Sequence, residues 1–173
     1  MKFFILDVDG VMTNGNFYYS IEGKVLKCFG PDDSDALSIL KKYMSIEFIS
    51  GDKKGFNISK KRISDDMGYK LSLVSTIKRK EWIEERYNLD DVIYMGDGIF
   101  DVLVMDVVGY SIATANADKN AINAADFVTE RNGGNRAVSE ACIHILKKFY
   151  GLKSLKEEIN SANKLNTGEW NIC

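Results

Sequence analysis

Short apolar runs alternate along the chain with longer segments in which apolar residues recur every three or four positions. The short runs are typical of buried strands, and the longer segments are typical of amphipathic helices. We predict strands at 3–8, 46–49, 71–74, 92–95 and 110–113, and helices at 34–44, 55–68, 78–88, 101–108, 118–124 and 136–149. Strands that alternate with helices in this way predict an α/β fold with a parallel sheet flanked by helices.

One segment breaks this alternation. Residues 16–29, NFYYSIEGKVLKCF, have two β-rich arms on either side of Glu22 and Gly23, which predicts a β-hairpin directly after the first strand. After Gly151 the sequence pattern predicts one amphipathic helix, followed by an end for which it predicts no secondary structure. We therefore expect a single domain over residues 1–151 and a C-terminal helix and tail over residues 152–173.

Composition narrows the function classes. The 173 residues include 23 Lys and Arg against 25 Asp and Glu, so no strong overall field attracts the chain to nucleic acid or to a membrane surface. Three scattered cysteines without CxxC spacing argue against a disulfide framework or a structural zinc site. We expect a cytoplasmic protein with neither a nucleic acid nor a membrane as its partner.

Polar residues follow the predicted strands, at the edge of a parallel sheet where ligands bind. They are Asp7 and Asp9, Ser50 with Gly51, the basic run from Lys78 to Lys80, and Asp97 and Asp101. Carboxylate oxygens suit Mg²⁺, and a bound cation would offset the repulsion between neighbouring aspartates. A lysine and a serine hydroxyl would donate to phosphate oxygens, and an aspartate carboxylate can attack phosphorus.

Several of these residues also have a purely structural interpretation. Lys80 lies in IKRKEWIEERY, the start of a charged helix whose basic side chains can be solvated, and Lys78 competes with it for a place in the site. Ser50 can be a small strand-end residue, and Asp101 can be the N-cap of its helix. The lone histidine, His144, is expected on a helix face.

In this order, DVDGVMT, a serine after the second strand, a lysine before a helix, and GDGIFD resemble the four motifs of the haloacid dehalogenase superfamily of phosphatases. The resemblance covers residues 1–150. TNGNFYYSIEGKVLKCF and RNGGNRAVSEACIHIL resemble a branch that includes octulosonate 8-phosphate and nonulosonate 9-phosphate phosphatases. The resemblance implies a Rossmann-like core with a hairpin inserted after the first strand and no cap domain.

The resemblance also implies individual roles. Asp7 would be the nucleophile, and Asp9 would be the general acid for the leaving alkoxide and the general base for water. Ser50 and Lys80 would bind the phosphoryl oxygens. The cofactor would be Mg²⁺, and its ligands would be Asp7, the Asp9 backbone carbonyl and Asp97. Asp101 would act on the metal through water or by orienting its ligands.

The candidate substrate-binding residues match the resembling branch only in part. Thr13 would steady Asp9 after the DxDG turn, and Gly51 follows the phosphate-binding serine. Asp33 matches an aspartate of the branch, whereas Arg136 stands where a glycine is usual.

Two acidic residues also depart from the octulosonate phosphatases. Asp32 and Asp52 stand where those enzymes have arginines. An aspartate repels a substrate carboxylate that an arginine would pair. We therefore expect a small phosphorylated sugar, sugar acid or sugar-derived metabolite of surface polysaccharide synthesis as substrate, with octulosonate 8-phosphate itself as an alternative.

In the resembling branch the hairpins of several subunits pair, which implies a homotetramer through the aromatic segment Phe17 to Tyr19. Two other function classes are open at this point. A signalling domain that is phosphorylated on aspartate also gathers acidic residues and a lysine at a sheet edge, but it does not need a DxD motif on the first strand. A non-catalytic binding subunit would keep the fold without turnover.

Overall fold

A computed structural model of the chain describes the backbone of residues 1–165 and the side chains of residues 1–160. In chain order the strands are β1 (Phe3–Asp7), β2 (Thr13–Ser20), β3 (Gly23–Phe29), β4 (Ser45–Ser50), β5 (Lys70–Leu73), β6 (Val92–Gly96), β7 (Tyr110–Ala113) and β8 (Phe127–Val128). Six of them form a sheet in the order β5-β4-β1-β6-β7-β8, and every pairing in it is parallel. The predicted α/β class and parallel sheet are confirmed.

Seven helices lie between the strands or after the last of them within the described residues. They are α1 (Asp33–Leu40), α2 (Phe56–Lys60, continued by a π-helical turn over Lys61–Asp66), α3 (Arg79–Glu84), α4 (Val102–Met105), α5 (Lys119–Ala124), α6 (Ala137–Tyr150) and α7 (Leu155–Leu165). Short 3₁₀ turns lie at Thr76–Lys78, Leu89–Asp91 and Ile99–Asp101. Most of these helices are shorter than the sequence pattern predicts because their last turns become irregular loops.

The central strand β1 is buried on both faces, as expected of a parallel sheet covered by helices on each side. Phe4 and Leu6 pack on one face with Leu37 of α1 and Ile145 of α6. On the other face, Ile5 packs in a cluster with residues of α3, α4 and α5, namely Ile83, Val104 and Ala121. The carboxyl end of β1 therefore opens at the middle of the sheet edge.

Strands β2 and β3 form a separate antiparallel hairpin directly after β1. Its pairing is irregular at two places, between Thr13 and Phe17 and between Tyr18 and Tyr19. At the second, Tyr18 lies opposite Leu26 but Tyr19 lies opposite Lys24, so Val25 is a bulge. Several apolar side chains of the hairpin are exposed, including Tyr19 at 62% and Leu26 at 60%.

The C-terminal helix α7 lies where the amphipathic segment after Gly151 predicts it. The end of the predicted tail, residues 166–173, lies outside the described residues. Between residues 1 and 165, no helix combines the length and the apolar character that crossing a membrane requires.

Candidate active site

Three aspartates gather where β1 and β6 end. Asp7 is the last residue of β1, and β1 pairs with β6, which Asp97 follows directly. Asp101 comes from the 3₁₀ turn after β6. One carboxylate oxygen of each of these three residues lies within 4.8 Å of the other two, so they form a compact acidic cluster.

Asp7 is 5% exposed, so its carboxylate is almost completely buried at the end of β1. Its Oδ2 accepts a hydrogen bond from Arg79 Nη1 at 2.7 Å, and its Oδ1 accepts one from the Val8 backbone N–H at 2.7 Å. Burial raises the pKa of Asp7 to about 6, while the Arg79 guanidinium acts against this rise. At neutral pH the carboxylate is ionised and held in one orientation, as a nucleophile requires.

Asp101 has a bracing role in the cluster. Its Oδ1 accepts from Arg79 Nη1 at 2.5 Å and from the Tyr94 hydroxyl at 2.6 Å. Its Oδ2 accepts from the backbone N–H groups of Asp97 and Gly98 at 2.9 and 2.8 Å. With two donors on each oxygen, Asp101 fixes the loop that carries Asp97 rather than offering a free ligand atom. An indirect role of Asp101 at a metal, as expected from the sequence, stays a prediction.

Of Asp7 and Asp97, Asp97 has the more strongly raised pKa, so a bound cation would stabilise its ionised form more. Burial raises its pKa to about 8, and the charges of Asp7 and Asp101 add to the rise. Among the described residues, no side chain or backbone N–H donates a hydrogen bond to this carboxylate. Gly10 allows its close approach, because a Cβ at that position would lie only 1.9 Å from Asp97 Oδ2.

These donors fit a divalent cation. Asp7 and Asp97 offer carboxylate oxygen atoms, which Mg²⁺ prefers as ligands. Within the part of the chain whose side chains are described, no basic side chain forms an ion pair with Asp97. Asp101 orients the second of these ligands through the loop backbone, as the outer residues of metal sites commonly do. The cluster is therefore a candidate metal centre.

We predict that, without divalent metal, the free energy of unfolding falls as pH rises from about 6 to about 8. The pKa of Asp97 is 3.8 in the unfolded reference and about 8 in the folded protein, so the folded state holds the extra proton between these values. Stability then decreases with rising pH, by at most about 1.4 kcal/mol per pH unit for one group. Urea unfolding in EDTA at several pH values measures this slope.

The variant Asp97→Asn is the control, because its amide carries no charge at any of these pH values. Its stability should change less between pH 6 and 8, and added Mg²⁺ should stabilise the wild type at pH 8 but not the variant. Equal slopes for the two proteins would contradict this origin of the pH dependence.

Asp9 lies beside the cluster in the turn after β1. Its Oδ1 lies 2.7 Å from Lys27 Nζ, and its Oδ2 lies 3.4 Å from Ser50 Oγ. Ser50 is fully buried at the end of β4, and its hydroxyl also accepts from the Asp52 backbone N–H at 3.2 Å. The structure thus brings together Asp7, Asp9, Ser50, Asp97 and Asp101, which the sequence places on three different strand ends.

Thr13 and Gly51 complete the strand-end loops without offering free side-chain donors. Thr13 is fully buried, and its Oγ1 accepts from the N–H groups of Gly10 and Gly15 at 3.2 and 3.3 Å. It therefore holds the turn that carries Asp9. Gly51 is exposed beside Ser50, and a Cβ there would lie 2.8 Å from Thr76 Cγ2.

The structure corrects the predicted position of Lys80. Its side chain is 42% exposed and its Nζ lies 3.6 Å from Glu84 on the outer surface of α3. Arg79 instead points inward with a side chain that is 3% exposed, and it contacts both Asp7 and Asp101. Successive helix residues point about 100° apart, so only one of the two neighbours can face the sheet edge. Lys78, the other candidate, pairs with Glu81 at 2.8 Å and is also exposed.

Asp33 and Arg136 are likewise not placed among the strand-end aspartates. Asp33 is 1% exposed, and its Oδ1 accepts from the Ser139 backbone N–H at 2.8 Å, so it joins α1 to the first turn of α6. Burial raises its pKa to about 6. Arg136 pairs with Asp32, and both residues have left-handed backbone, with φ of 68° and 65°. This pair borders a cavity of about 570 Å³ on the outer side of α6.

Sequence reasoning missed the two basic residues that contact the aspartates. The basic run from Lys78 to Lys80 includes Arg79 but does not distinguish it from its neighbours, and the hairpin pattern assigns no role to Lys27. The only available signal for Lys27 was a lysine within the apolar arm VLKCF.

The chain is similar to known phosphatases over most of its length. A family described as haloacid dehalogenase-like hydrolase matches residues 78–141. The 3-deoxy-D-manno-octulosonate 8-phosphate phosphatase KdsC of Escherichia coli K12 is 32% identical over 149 residues, which cover 82% of this chain and 77% of that protein.

Two solved structures share the fold. The cobalt-bound deoxy-D-mannose-octulosonate 8-phosphate phosphatase of Haemophilus influenzae superposes with a TM-score of 0.79 at 27% identity, covering 92% of this chain and 96% of that one. The 3-deoxy-D-manno-octulosonate 8-phosphate phosphatase of Yersinia pestis superposes with a TM-score of 0.73 at 29% identity, covering 84% and 80%. As in this chain, the layout is an α/β core with a hairpin and without a cap domain.

Proposed function

Because the chain belongs to the haloacid dehalogenase-like hydrolases and is a phosphatase, we propose that it is a Mg²⁺-dependent phosphomonoesterase for a small phosphorylated sugar acid. The observation that carries this proposal is the buried, oriented carboxylate of Asp7 next to the unpaired Asp97 carboxylate. A carboxylate of this kind suits attack on phosphorus, and its neighbour suits a cation. The signalling-domain and binding-subunit alternatives are set aside by the phosphatase family.

The reaction proceeds in two steps. The Asp7 carboxylate attacks phosphorus, and the P–O bond to the sugar breaks as Asp9 gives its proton to the leaving oxygen. Water then attacks the aspartyl phosphate, Asp9 takes a proton from that water, and the bond between phosphorus and Asp7 breaks. The same carboxyl is suited to both transfers because it returns to its starting protonation state.

Positive charge at the site offsets the repulsion between the Asp7 carboxylate and an anionic phosphate. Arg79 supplies a fixed guanidinium 2.7 Å from Asp7 Oδ2, and Ser50 supplies a hydroxyl near Asp9. We assign to Arg79 the cationic role predicted for Lys80. A Mg²⁺ ion held by Asp7, Asp97 and the Asp9 carbonyl would add charge stabilisation at the phosphoryl oxygens.

The charge pattern around the site permits a sugar acid. Asp52 is paired with Lys24 at 2.5 Å and with Lys27 at 2.9 Å, which lowers its pKa to about 2, and Asp32 is paired with Arg136. These two aspartates therefore do not present unpaired negative charge to a substrate carboxylate. The charges of Asp32 and Asp52 therefore do not exclude octulosonate 8-phosphate as the substrate. The similarity to octulosonate 8-phosphate phosphatases favours that substrate class.

Phosphate release from a panel of substrates tests this proposal. The panel contains octulosonate 8-phosphate, neutral sugar phosphates and amino-alcohol phosphates, each with and without Mg²⁺. We expect kcat/KM to be at least about tenfold higher for the sugar acid, since a binding difference of about 1.4 kcal/mol has this effect. A preference for neutral sugars would contradict the sugar-acid assignment, and absence of Mg²⁺-dependent release from every substrate would contradict the function.

We further propose that the enzyme is a cytoplasmic homotetramer assembled through the hairpin and serves surface polysaccharide synthesis. The support is the apolar surface that the hairpin leaves exposed, including Tyr18 at 48%, Ile21 at 105% and Leu26 at 60%. Contiguous exposed apolar patches of this kind commonly mark protein interfaces. Light scattering should give four times the chain mass, and a monomeric mass would contradict the assembly.

A further inference from the structure

A buried lysine of the hairpin lies against the Asp9 carboxylate. The side chain of Lys27 has no exposed surface. Its Nζ donates to Asp9 Oδ2 at 2.9 Å, lies 2.7 Å from Asp9 Oδ1 and lies 2.9 Å from Asp52 Oδ2. It also donates to Ser59 Oγ of α2 at 2.8 Å. An ammonium group has three donors, and these three partners use all of them. Lys27 therefore has one defined position.

The surrounding backbone leaves room for this arrangement. The stems of Lys24 and Lys27 pass over Gly55, where a Cβ would lie 2.7 Å from Lys24 Cδ and 2.8 Å from Lys27 Cε. The bulge at Val25 brings the two lysines to the same face of the hairpin, although strand alternation alone would place them on opposite faces. The hairpin is thus shaped to bring Lys27 to the sheet edge.

Asp9 has little else to hold it. Its side chain is 18% exposed, and its other side-chain contact is the long one of 3.4 Å with Ser50 Oγ. Without Lys27, the contact with Ser50 would be the only one holding the Asp9 carboxylate. The carboxylate would then rotate freely about its terminal torsion, which has a broad energy minimum. The Lys27 ammonium supplies the missing constraint, because it donates to the ionised carboxylate and can still donate to the carbonyl oxygen when Asp9 carries a proton.

We propose that Lys27 is a positioning residue that aims the Asp9 carboxyl at the oxygen of the leaving group. This role rests on the proposed function, in which Asp9 gives its proton to that oxygen as the P–O bond breaks and later takes a proton from water. Lys27 itself neither gives nor accepts a proton in either step. A correctly placed general acid accelerates a reaction by about 10²–10⁴-fold, and loss of its orientation forfeits part of that gain.

Two substrates that differ in the leaving group separate positioning from a structural role. The alkoxide of a sugar phosphate needs a proton to leave, whereas p-nitrophenolate leaves without one. The ratio kcat/KM reports only the steps up to departure of this group. We expect Lys27→Met to lower kcat/KM by about 100-fold for the sugar phosphate and by less than about fivefold for p-nitrophenyl phosphate.

Lys24→Met is the matched control. Lys24 is in the same strand, is 4% exposed, and pairs with the same Asp52 at 2.5 Å, but its ammonium lies over the Phe17 ring rather than at Asp9. Its loss should change kcat/KM for both substrates by the same factor. Lys27→Arg keeps the positive charge and should recover part of the loss on the sugar phosphate.

Gly55→Ala removes no charge, but its Cβ would lie 2.2 Å from Asp52 Oδ2 as well as against both lysine stems, so it displaces Lys27 together with its partner Asp52. It should reproduce the leaving-group dependence at smaller size, and it keeps the test valid if Lys27→Met folds poorly. Equal losses on both substrates for the Lys27 and Gly55 variants would overturn the positioning role while leaving the phosphatase function intact. A wild-type enzyme that releases no phosphate from either substrate with Mg²⁺ would instead overturn the proposed function, and this role with it.

Discussion

Replacing Asp7 with asparagine is expected to lower phosphatase kcat/KM by at least about a thousandfold, because the amide cannot form the acyl phosphate. The fold should persist, since Asn keeps the size of the side chain and an oxygen that can accept from Arg79 or Val8. Steady-state phosphate release with Mg²⁺ measures the loss, and circular dichroism with thermal unfolding checks the fold.

The Asp7 variant also separates chemistry from binding. Substrate should still bind, because Ser50 and Arg79 remain, so calorimetric titration with a phosphorylated substrate should give a dissociation constant within about tenfold of the wild-type KM. Activity of Asp7→Asn comparable to wild type would remove the aspartyl-phosphate mechanism.

The second large effect concerns the neighbours Arg79 and Lys80. We expect Arg79→Met to lower kcat/KM by about 100-fold or more, since it removes the fixed positive charge beside the nucleophile. It should also lower the free energy of unfolding by about 3–5 kcal/mol, because the buried carboxylates of Asp7 and Asp101 lose their shared partner. Kinetics and urea unfolding of the same preparation measure both effects.

Lys80→Met is the control at the adjacent position. Lys80 is 42% exposed and faces Glu84 at 3.6 Å, so the stability change should stay within about 0.5 kcal/mol and kcat/KM within about twofold. Arg79→Lys preserves charge in case the methionine variant is too unstable to assay, and it should retain more activity than Arg79→Met. The reverse ranking of Arg79 and Lys80 would contradict the assignment made from the structure.

The sequence was sufficient to predict the sheet and the acidic residues. The apolar runs of β1, β4 and β6 are buried between helices, so their ends were readable from hydrophobicity alone, and with them the positions of Asp7, Ser50 and Asp97. Strand β8 escaped prediction because its two residues, Phe127 and Val128, are too few to produce a periodic signal.

The positions of Arg79 and Lys27 in the site could not be predicted. For each of them, a change of one residue in the helix start or in the strand register decides which side chain faces the aspartates. The choice between Arg79 and Lys80 is decided by where α3 begins, and sequence patterns place helix ends only to within a few residues. Lys27 shares a face with Lys24 only because Val25 is a bulge, and alternation does not reveal bulges. The contact of Asp33 with α6 could not be predicted because its partner, the Ser139 N–H, lies 106 residues away along the chain.

The ion pair of Asp32 and Arg136 also bears on how this sequence diverged. Each residue has left-handed backbone, which costs a non-glycine residue roughly 1 kcal/mol or more, and each is the charge partner of the other. The resemblance to the octulosonate phosphatases implies an arginine at position 32 and a glycine at position 136 in those enzymes. Because each of these residues is the charge partner of the other in this chain, we predict that homologous sequences change positions 32 and 136 together.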